Sequence, residues 1–246
     1  MTIPIFVINL DRSTDRLAHV RAEFDREGLA FERFPAVDGT NLPAALAPYF
    51  HGSPLRPGEV GCYASHLLLW QRIAGGGAAL VCEDDISLPA GFAALLRSVL
   101  DAAPDGWDVI RMSSPTRRPV VPLRDLDGRH KLVRYWREPT LSGATLVSPK
   151  GAHKLCKPGL RTLPIDADLR RPWAFDIDTY GVHPNPVRQQ GHPSVIMAAG
   201  KRHSYRKLLT PDILWRRLHS LRTLGVREWV KCVARVSIMS HRRAAS

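Results

Sequence analysis

The sequence lacks paired cysteines, long apolar runs and internal repeats, and each absence excludes a class of protein. The four cysteines lie far apart without a CxxC pair, which argues against a disulfide framework or a zinc site and indicates reduced thiols. No apolar run approaches the roughly 18 residues that a membrane-spanning helix needs. The length of 246 residues therefore predicts one large α/β domain, or one domain with an appendage.

The first residues also lack the features of a signal peptide. No positively charged stretch precedes the apolar segment, and Asp11 and Arg12 follow that segment too soon. The segment Ile3–Leu10 predicts a first β-strand instead. Together with the reduced thiols, this indicates a cytoplasmic protein.

Carboxylates are scarce near the carboxyl terminus, so the net charge of +12 is unevenly distributed. Residues 200–246 hold twelve lysines and arginines against only Asp212 and Glu228, whereas residues 1–199 are nearly neutral. From about Pro211 to Arg243, leucines and tryptophans alternate with arginines at helical spacing. We therefore predict a globular domain over residues 1–199 and a basic helical extension over residues 200–246.

A basic amphipathic helix suggests two roles. Its arginines, with Trp215 and Trp229, suit an anionic membrane surface, where each well-placed cation contributes ~1 kcal/mol. The alternative is a solvated helix that packs on the domain. Charge alone also permits nucleic-acid binding, but no recognised nucleic-acid motif supports it, so we expect no nucleic-acid partner.

The segment Ala78–Asp85 is the centre of the predicted fold. Five small or apolar residues run without a polar break and end in three adjacent carboxylates, Glu83, Asp84 and Asp85. Such a run after a glycine cluster predicts a strand that is buried on both faces of an α/β sheet. Ligands bind beyond the carboxyl ends of these strands, and a hard divalent cation would offset the repulsion among the acids. The alternative is a solvated acidic loop.

The flanking elements are predicted from periodicity and turn residues. Residues 3–37 predict a strand–helix–strand unit, and residues 57–74 predict a helix that precedes the central strand. Further strands are predicted over residues 107–112, 132–136 and 141–147, and a helix after Ser148. The polar, proline-bearing residues 113–131 predict a mobile loop, and the proline-rich residues 169–199 predict mostly loop.

Several short segments, taken together, resemble a known family. They are, in chain order, Ile8–Arg12 with Arg16, Phe34–Gly39, Pro57–Cys62 with Ser65 and His66, Leu80–Asp85, Ser142–Gly143, Ser148–Ala152, Pro164–Asp166, Pro186–Gln190 and Ser194–Ile196. In this order and spacing they are similar to glycosyltransferase family 25, the bacterial lipooligosaccharide and lipopolysaccharide glycosyltransferases. The resemblance covers about residues 3–196 and leaves the basic extension outside it.

The resemblance implies a GT-A-like, Rossmann-related mixed sheet flanked by helices, with residues 1–199 as the catalytic domain. It also implies a nucleotide-sugar donor, a Mn²⁺ or Mg²⁺ ion, and inverting transfer of galactose from UDP-galactose to a lipopolysaccharide-type, lipid-linked saccharide. By analogy with the Asp-x-Asp motif of this fold, Asp85 would bind the metal directly. Glu83 would contact the metal, a metal-bound water or the ribose, and Asp84 would support either residue.

An inverting transfer needs a base that takes the proton of the acceptor hydroxyl. Asp166 is the first candidate for this catalytic role and Asp168 is the second, with Asp176 and Asp178 as open alternatives. Each of these carboxylates could instead cap a turn or a helix.

Further donor-site candidates come from the matched segments. Arg12 and Arg16 follow the first strand, where their guanidinium groups could meet phosphate oxygens or be solvated in a first helical turn. The resemblance adds six more donor-site residues: Asn9, Asp38, Glu59, Ser65, His66 and Gln190. Asp38 would bind uracil or ribose, whereas His66 among apolar neighbours could equally be a hydrogen-bonded core histidine.

Three other functions remain open beside the expected one. A transferase could act on a protein hydroxyl, and a metal-dependent phosphodiesterase could use the same acids without a sugar acceptor. An inactive saccharide-binding scaffold could bind nucleotide without turnover. The expected function is that of a cytoplasmic enzyme, peripheral at the inner face of the cytoplasmic membrane.

Overall fold

The computed structural model describes residues 3–190 and 212–244. The strands are β1 (Ile5–Asn9), β2 (Glu32–Pro35), β3 (Ala79–Glu83), β4 (Ile86–Ser87), β5 (Val109–Arg111), β6 (Val120–Asp125), β7 (Lys131–Tyr135), β8 (Ala144–Val147), β9 (Thr179–His183) and β10 (Arg188–Gln189). The helices are α1 (Thr14–Arg26), α2 (Ala47–Phe50), α3 (Pro57–Ala74), α4 (Phe92–Ala102), α5 (Pro149–Leu155), α6 (Ile165–Asp168), α7 (Pro172–Phe175) and α8 (Asp212–Ala244).

Eight of these strands form one mixed sheet in the order β2-β1-β3-β8-β5-β9-β7-β6. Strand β1 is parallel to β2 and β3, whereas β8 runs antiparallel between β3 and β5. Strand β9 is parallel to β5 and antiparallel to β7, and β6 forms the edge beside β7. The predicted fold class, an α/β mixed sheet flanked by helices, is confirmed.

The central strand β3 is buried on both faces, as its apolar run predicts. Val81 belongs to a core on one face that includes Trp70 of α3. Leu80 belongs to a second core on the other face that includes Phe24 of α1. Each large apolar side chain contributes about 1.5–3 kcal/mol when it is fully buried, so both faces anchor the strand that carries the acids.

The prediction of a loop over residues 113–131 is wrong for residues 120–125, which form β6. Among the strands that the structure describes, β6 pairs only with β7, and most of its side chains are exposed. An edge strand tolerates a proline such as Pro122, which sequence patterns read as loop. The partner strand β7, which was predicted, supplies the buried residues Leu132 and Val133.

The prediction of mostly loop over residues 169–199 is wrong for β9, which lies buried inside the sheet. The nearby prolines, Pro172 and Pro184, flank the strand and do not interrupt it. Gly181 lies in the middle of β9, where a Cβ would be only 1.8 Å from the Tyr135 hydroxyl. The central glycine and the flanking prolines interrupt the β-signal of Thr179, Tyr180 and Val182, although the packing requires that glycine.

Two glycines from different matched segments meet where the turn after β2 packs on α3. A Cβ on Gly39 would lie 1.7 Å from the Pro57 carbonyl oxygen, and a Cβ on Gly61 would lie 2.5 Å from the Val37 carbonyl oxygen. Ser65 Oγ accepts a 2.8 Å hydrogen bond from the Val37 amide and donates one of 2.7 Å to the Gly61 carbonyl. This close contact sets the position of the first half of α3.

The predicted basic extension is helical over α8, which is interrupted at Gly225, where φ is 74°. Helix α8 contacts α7, β6 and β7, and the rings of His219 and Trp173 lie 5.8 Å apart. Within residues 3–190 and 212–244, no helix combines the length and hydropathy that a bilayer-spanning segment requires. The division of the chain at residue 199 stays a prediction.

Some predictions fall outside the described residues. The matched segment Ser194–Ile196 lies there, and so do the first four basic residues of the extension, Lys201, Arg202, Arg206 and Lys207.

Candidate functional site

Polar residues converge at one edge of the sheet. Strands β1, β3 and β5 point the same way, so their carboxyl ends meet at this edge, and the antiparallel β8 begins there. Asn9 ends β1, Glu83 ends β3, and Ser142 stands just before β8. The short pair of β4 and β10 adds Gln189. We call this region the acidic edge, and it is the position at which α/β sheets bind ligands.

Glu83 accepts hydrogen bonds from two side chains across the acidic edge. Ser142 Oγ donates to Oε1 at 2.6 Å, and Gln189 Nε2 donates to Oε2 at 3.0 Å. His66 Nε2 lies 3.7 Å from Oε1. Burial acts to raise the pKa of Glu83, but its interactions with His66 and Ser142 outweigh burial, so the pKa is lowered. Glu83 is therefore an ionised carboxylate whose oxygens are held in place.

Asp85 is the carboxylate whose charge is most costly at the acidic edge. Burial, followed by the charge of Glu83, raises the pKa of Asp85 to about 7. The Gln189 amide, 3.3 Å from Oδ1, opposes the shift only in part. A divalent cation would offset this repulsion, and carboxylate oxygens are the donors that Mn²⁺ and Mg²⁺ prefer. The residues present thus fit the predicted cation.

Asp84 points back into the fold. Asn9 Nδ2 donates to Oδ2 at 2.8 Å, and Arg16 Nη1 donates to Oδ1 at 3.1 Å. Both oxygens therefore have partners within the chain, and the residue is buried. The structure brings Asn9, Arg16 and the acids together, and Asp84 links the ends of β1 and β3 to the first turn of α1.

Cys62 and His66 lie one helical turn apart on α3 and face Glu83. One ligand atom from each of the three residues lies within 4.8 Å of the other two. His66 is buried, yet its Nε2 has no hydrogen-bond partner among the described residues. Burial and the nearby carboxylates raise the pKa of the Cys62 thiol well above its usual range. Sequence reasoning selected His66 and missed Cys62, although their i, i+4 spacing places them on one helix face.

The two candidate bases lie on α6, which packs on α3. Asp166 is partly exposed, and its charge acts on Cys62, as do the charges of the acidic edge. Asp168 is buried and accepts hydrogen bonds of 3.0 Å from Tyr63 Oη and 3.3 Å from Arg171 Nη1. Asp166 is therefore the more accessible of the two carboxylates, and Asp168 joins α6 to α3.

Glu59 and Ser65 lie inside the fold on α3. The buried Glu59 accepts a 3.0 Å hydrogen bond from the Arg56 amide and so caps the start of α3. Ser65 is fully buried, and both of its hydrogen bonds join α3 to the turn after β2. These contacts give both residues a part in positioning α3.

Asp38 and Arg12 lie at the exposed margin of the same edge. Asp38 accepts hydrogen bonds from the amide and the hydroxyl of Thr40, at 2.9 and 2.8 Å. These bonds lower the pKa of Asp38, and the charge of Arg12 adds to the shift. Both side chains are open to solvent, so a ligand could reach them without a change in the fold.

Sequence reasoning missed Gln189, which contacts two of the three acids. The Gln189 amide donates to Glu83 and Asp85, whereas the amide of the predicted Gln190 donates to Ser87 Oγ at 2.7 Å. A Cβ on Gly143 would lie 2.8 Å from the Gln189 side chain, so the glycine leaves space for it. Gln189 and Gly143 both belong to segments that resemble the family, and this resemblance could have identified them.

The buried Arg111 was also missed. Its guanidinium donates to the carbonyl of Leu141, whose φ of 77° is uncommon for a residue with a branched side chain. Burial lowers the pKa of Arg111, and the neighbouring Glu138 opposes the shift. The contact holds the residue immediately before Ser142 and thereby positions the Ser142 hydroxyl at the acidic edge.

The sequence has relatives of known name. A family model described as "Glycosyltransferase family 25 (LPS biosynthesis protein)" matches residues 2–114. A "Glycosyltransferase 25 family member" of Anopheles gambiae is 34% identical over 203 residues, covering 74% of this chain and 32% of that protein. "Procollagen galactosyltransferase 1" of Danio rerio is 30% identical over 188 residues, covering 67% of this chain and 30% of that protein.

A third relative carries a different description. The "Inactive glycosyltransferase 25 family member 3" of Homo sapiens is 32% identical over 206 residues, covering 74% of this chain and 32% of that protein. The chain thus spans about a third of the length of these curated relatives.

Among solved structures, a Drosophila β-1,4-galactosyltransferase 7 mutant in complex with manganese, UDP-Gal and xylobiose is similar with a TM-score of 0.46. It is 10% identical, and the match covers 85% of this chain and 80% of that chain. A glycosyltransferase involved in the glycosylation of the major capsid of PBCV-1 matches with a TM-score of 0.37 and 10% identity, covering 63% of each chain.

The family match includes the residues that build the acidic edge from β1, α1, α3 and β3. Asn9, Arg16, His66 and the segment Glu83–Asp85 all lie within residues 2–114. Relatives at 30% identity or more extend the similarity across about three quarters of the chain. The chain therefore belongs to glycosyltransferase family 25.

Proposed function

We propose that this chain is a metal-dependent, inverting glycosyltransferase that moves galactose from UDP-galactose to a saccharide acceptor. The observation that carries the proposal is the pair of carboxylates Glu83 and Asp85 at the carboxyl end of β3. Their repulsion contributes to the raised pKa of Asp85, and a cation together with a nucleotide diphosphate would relieve it. Galactose is supported by the name of the Danio rerio relative.

The chain's own residues prepare the donor site. Mn²⁺ or Mg²⁺, when held by Asp85 and Glu83, would supply positive charge to the leaving diphosphate. Ser142 and Gln189 fix the Glu83 oxygens by hydrogen bonds, so the carboxylate does not need to reorient during the reaction. Arg16, paired with Asp84, adds a guanidinium beside the acids.

Asp166 is the proposed general base. It would accept the proton of the acceptor hydroxyl as that oxygen attacks the anomeric carbon. Its partial exposure supports this role, because an acceptor has to reach the carboxylate. Asp168 is less suited, since both of its oxygens are hydrogen-bonded within the fold by Tyr63 and Arg171.

The proposed acceptor is a lipid-linked saccharide of the lipopolysaccharide type, in line with the description of the matched family. The second candidate is a hydroxyl group of a protein, which the procollagen galactosyltransferase name of a relative favours. Because this chain spans only about a third of that relative, the relative's acceptor does not decide the acceptor of this chain. The two acceptor classes are therefore tested side by side.

The basic extension supports a location at the inner face of the cytoplasmic membrane. Leu214, Trp215 and Leu218 are exposed on the first half of α8, between arginines. An exposed apolar stripe flanked by cations suits the surface of an anionic leaflet. Helix α8 would bring the acidic edge to an acceptor that is anchored in the same membrane.

Thermal unfolding in the presence of nucleotide sugars tests the donor site. UDP, UDP-galactose, UDP-glucose and UDP-N-acetylglucosamine are each added with Mn²⁺ or with EDTA. A ligand that binds the folded state raises the midpoint of thermal unfolding. At a ligand concentration of 100 times its Kd, the added free energy of stabilisation is about 2.7 kcal/mol. We expect a Mn²⁺-dependent rise in the wild type and its loss in Asp85→Asn. Asp101→Asn, on the exposed face of α4, is the matched control.

Turnover assays then separate the remaining functions. Transfer to a saccharide supports the proposal, whereas transfer only to a procollagen peptide supports the second candidate. Cleavage of a phosphodiester substrate in the absence of a sugar acceptor would identify a phosphodiesterase. Nucleotide binding without turnover would identify an inactive scaffold. Folded protein that responds to no nucleotide sugar would overturn the donor site itself.

A further inference from the structure

A cavity at the base of the β6–β7 hairpin has no part in the proposed donor chemistry. Its volume is about 560 Å³, within the roughly 300–1,000 Å³ of small-molecule sites. Residues 115–118, residues 137–140, Arg170 and Val236 line it. The first two segments are the connections that enter and leave the β6–β7 hairpin, and Val236 belongs to α8. We call this space the arginine cavity.

The arginine cavity carries an excess of positive charge. Four of its lining residues are arginines, namely Arg117, Arg118, Arg137 and Arg170. Within the part of the chain that the structure describes, none of the four pairs with a carboxylate. Burial, together with the charges of Arg170 and Arg118, lowers the pKa of Arg137 to about 10. The fold therefore holds like charges together at a cost that a bound anion would offset.

The one carboxyl group in the lining does not balance these charges. Burial raises the pKa of Glu138 to about 8, despite the nearby arginines. Its Oε2 is buried and has no hydrogen-bond partner in the described residues. Near neutral pH the group is mostly protonated, so it is a hydrogen-bond donor as well as an acceptor. A ligand with anionic oxygens and hydroxyl groups would satisfy both the arginines and this carboxyl.

The arginine cavity adjoins the acidic edge along the chain. Thr140 lines the cavity, and Ser142, two residues further on, donates to Glu83. Two residues of extended chain span at most about 7 Å, so the backbone at the end of the cavity leads directly to the residue that contacts Glu83.

We propose that the arginine cavity binds a phosphate- or carboxylate-bearing sugar of the acceptor and so selects anionic saccharides. This inference rests on the proposed transferase function. The planar guanidinium group forms paired hydrogen bonds with either anion, which makes a cluster of arginines suited to both. The cavity holds a sugar unit with its charged substituent, and the neighbouring acidic edge receives the next part of the saccharide.

Direct binding measurements with small probes test the arginine cavity. Glucose 6-phosphate represents a phosphate monoester, galacturonate a carboxylate, and methyl glucoside a neutral sugar. Calorimetric titration is performed on the wild type, on Arg118→Gln/Arg137→Gln, and on the control Arg97→Gln/Arg124→Gln. The control removes the same charge from exposed positions on α4 and β6. The UDP response with Mn²⁺ is measured on the same three preparations.

We expect saturable binding of at least one anionic sugar, none of methyl glucoside, and at least tenfold weaker binding in Arg118→Gln/Arg137→Gln alone. Stronger binding of one anionic probe tells which substituent the cavity takes. The proposal is overturned if both double variants bind the anionic sugar equally weakly. It is also overturned if folded wild-type protein binds neither anionic sugar at about 10 mM. If the wild type binds an anionic sugar but does not respond to UDP with Mn²⁺, the transferase function is contradicted while the anion site is supported.

Discussion

Ser142 Oγ donates a 2.6 Å hydrogen bond to Glu83 Oε1, joining residues that are 59 positions apart in sequence. The bond connects the segment before β8 to the carboxyl end of β3, and Arg111 holds the preceding residue. Hydrogen bonds to charged groups contribute about 1.5–3 kcal/mol, so this contact can control the orientation of the carboxylate.

Ser142→Ala is expected to weaken UDP binding with Mn²⁺ about tenfold and to lower the free energy of unfolding by about 1.5–3 kcal/mol. The reason is that Glu83 loses its shortest hydrogen bond and becomes free to rotate. Calorimetric titration and urea unfolding measure the two effects. Ser53→Ala, whose hydroxyl donates to the Arg161 carbonyl away from the acidic edge, should leave UDP affinity unchanged. Unchanged affinity in Ser142→Ala would contradict the role of this bond.

Gly143→Ala should impair donor binding more than stability. The new Cβ would lie 2.8 Å from the Gln189 side chain, which can move away but then loses Glu83 and Asp85. Gly181→Ala should impair stability more than donor binding, because its Cβ would lie 1.8 Å from the hydroxyl of the buried Tyr135. We expect about 1 kcal/mol of destabilisation for the first and about 3 kcal/mol for the second, measured by urea unfolding. Similar stability losses would refute the distinction.

Gly39→Ala should prevent stable folding or reduce stability by more than about 3 kcal/mol, because its Cβ would lie 1.7 Å from a backbone carbonyl oxygen. Backbone atoms cannot move aside as a side chain can. Gly77→Ala is the matched control, since no atom lies within 4 Å of its Cβ position. Circular dichroism during heating compares the variants. A Gly39→Ala midpoint equal to that of Gly77→Ala would show that the turn after β2 can shift.

Glu138→Gln should be stabilising at high pH and neutral at low pH. The folded state raises the Glu138 pKa from 4.5 to about 8, so it holds a proton that the unfolded chain releases. Wild-type stability therefore falls between pH 5 and 8, by up to about 1.4 kcal/mol per pH unit, and this loss is absent in the variant. Urea unfolding at pH 5 and pH 8 should show a relative gain of roughly 1–3 kcal/mol for Glu138→Gln. A gain of the same size at both pH values would exclude titration as its cause.

Leu214→Ser/Trp215→Ser should reduce binding to vesicles that contain phosphatidylglycerol, because two exposed apolar side chains of α8 are lost. Each exposed-to-buried apolar side chain contributes about 1.5–3 kcal/mol, so the partition coefficient should fall by at least tenfold. Vesicle flotation measures binding, with phosphatidylcholine vesicles as the neutral comparison. Leu160→Ser, an exposed leucine outside α8, is the control. Equal flotation of all variants would count against α8 as the membrane contact.

Much of the acidic edge was predictable because its signals are local. The apolar run before Glu83 predicts β3, and its burial on both faces follows from the same residues. The bounds of α3 agree with the predicted range of residues 57–74. The helix after Ser148 begins as predicted, with the Ser148 hydroxyl accepting a 3.0 Å hydrogen bond from the Gly151 amide.

Other features were not predictable because their signals conflict or are absent. Strand β9 is only five residues long, has Gly181 at its centre and stands between prolines, so the strand preference of its Thr, Tyr and Val is easily overlooked. Strand β6 is exposed at the edge of the sheet, and Pro122 interrupts its apolar residues. The roles of Asp166, His66 and the other predicted site residues stay predictions that the proposed experiments test.

Local sequence patterns are enough to specify which strand ends in carboxylates, which helices flank it, and that a basic helix follows. The groups that contact those carboxylates are specified only when the chain is folded. Gln189 meets Glu83 across 106 residues, and Ser142 meets it across 59. Helix and strand signals arise from neighbours a few residues apart, whereas such long-range contacts depend on how the strands pair, and that pairing leaves no local trace in the chain.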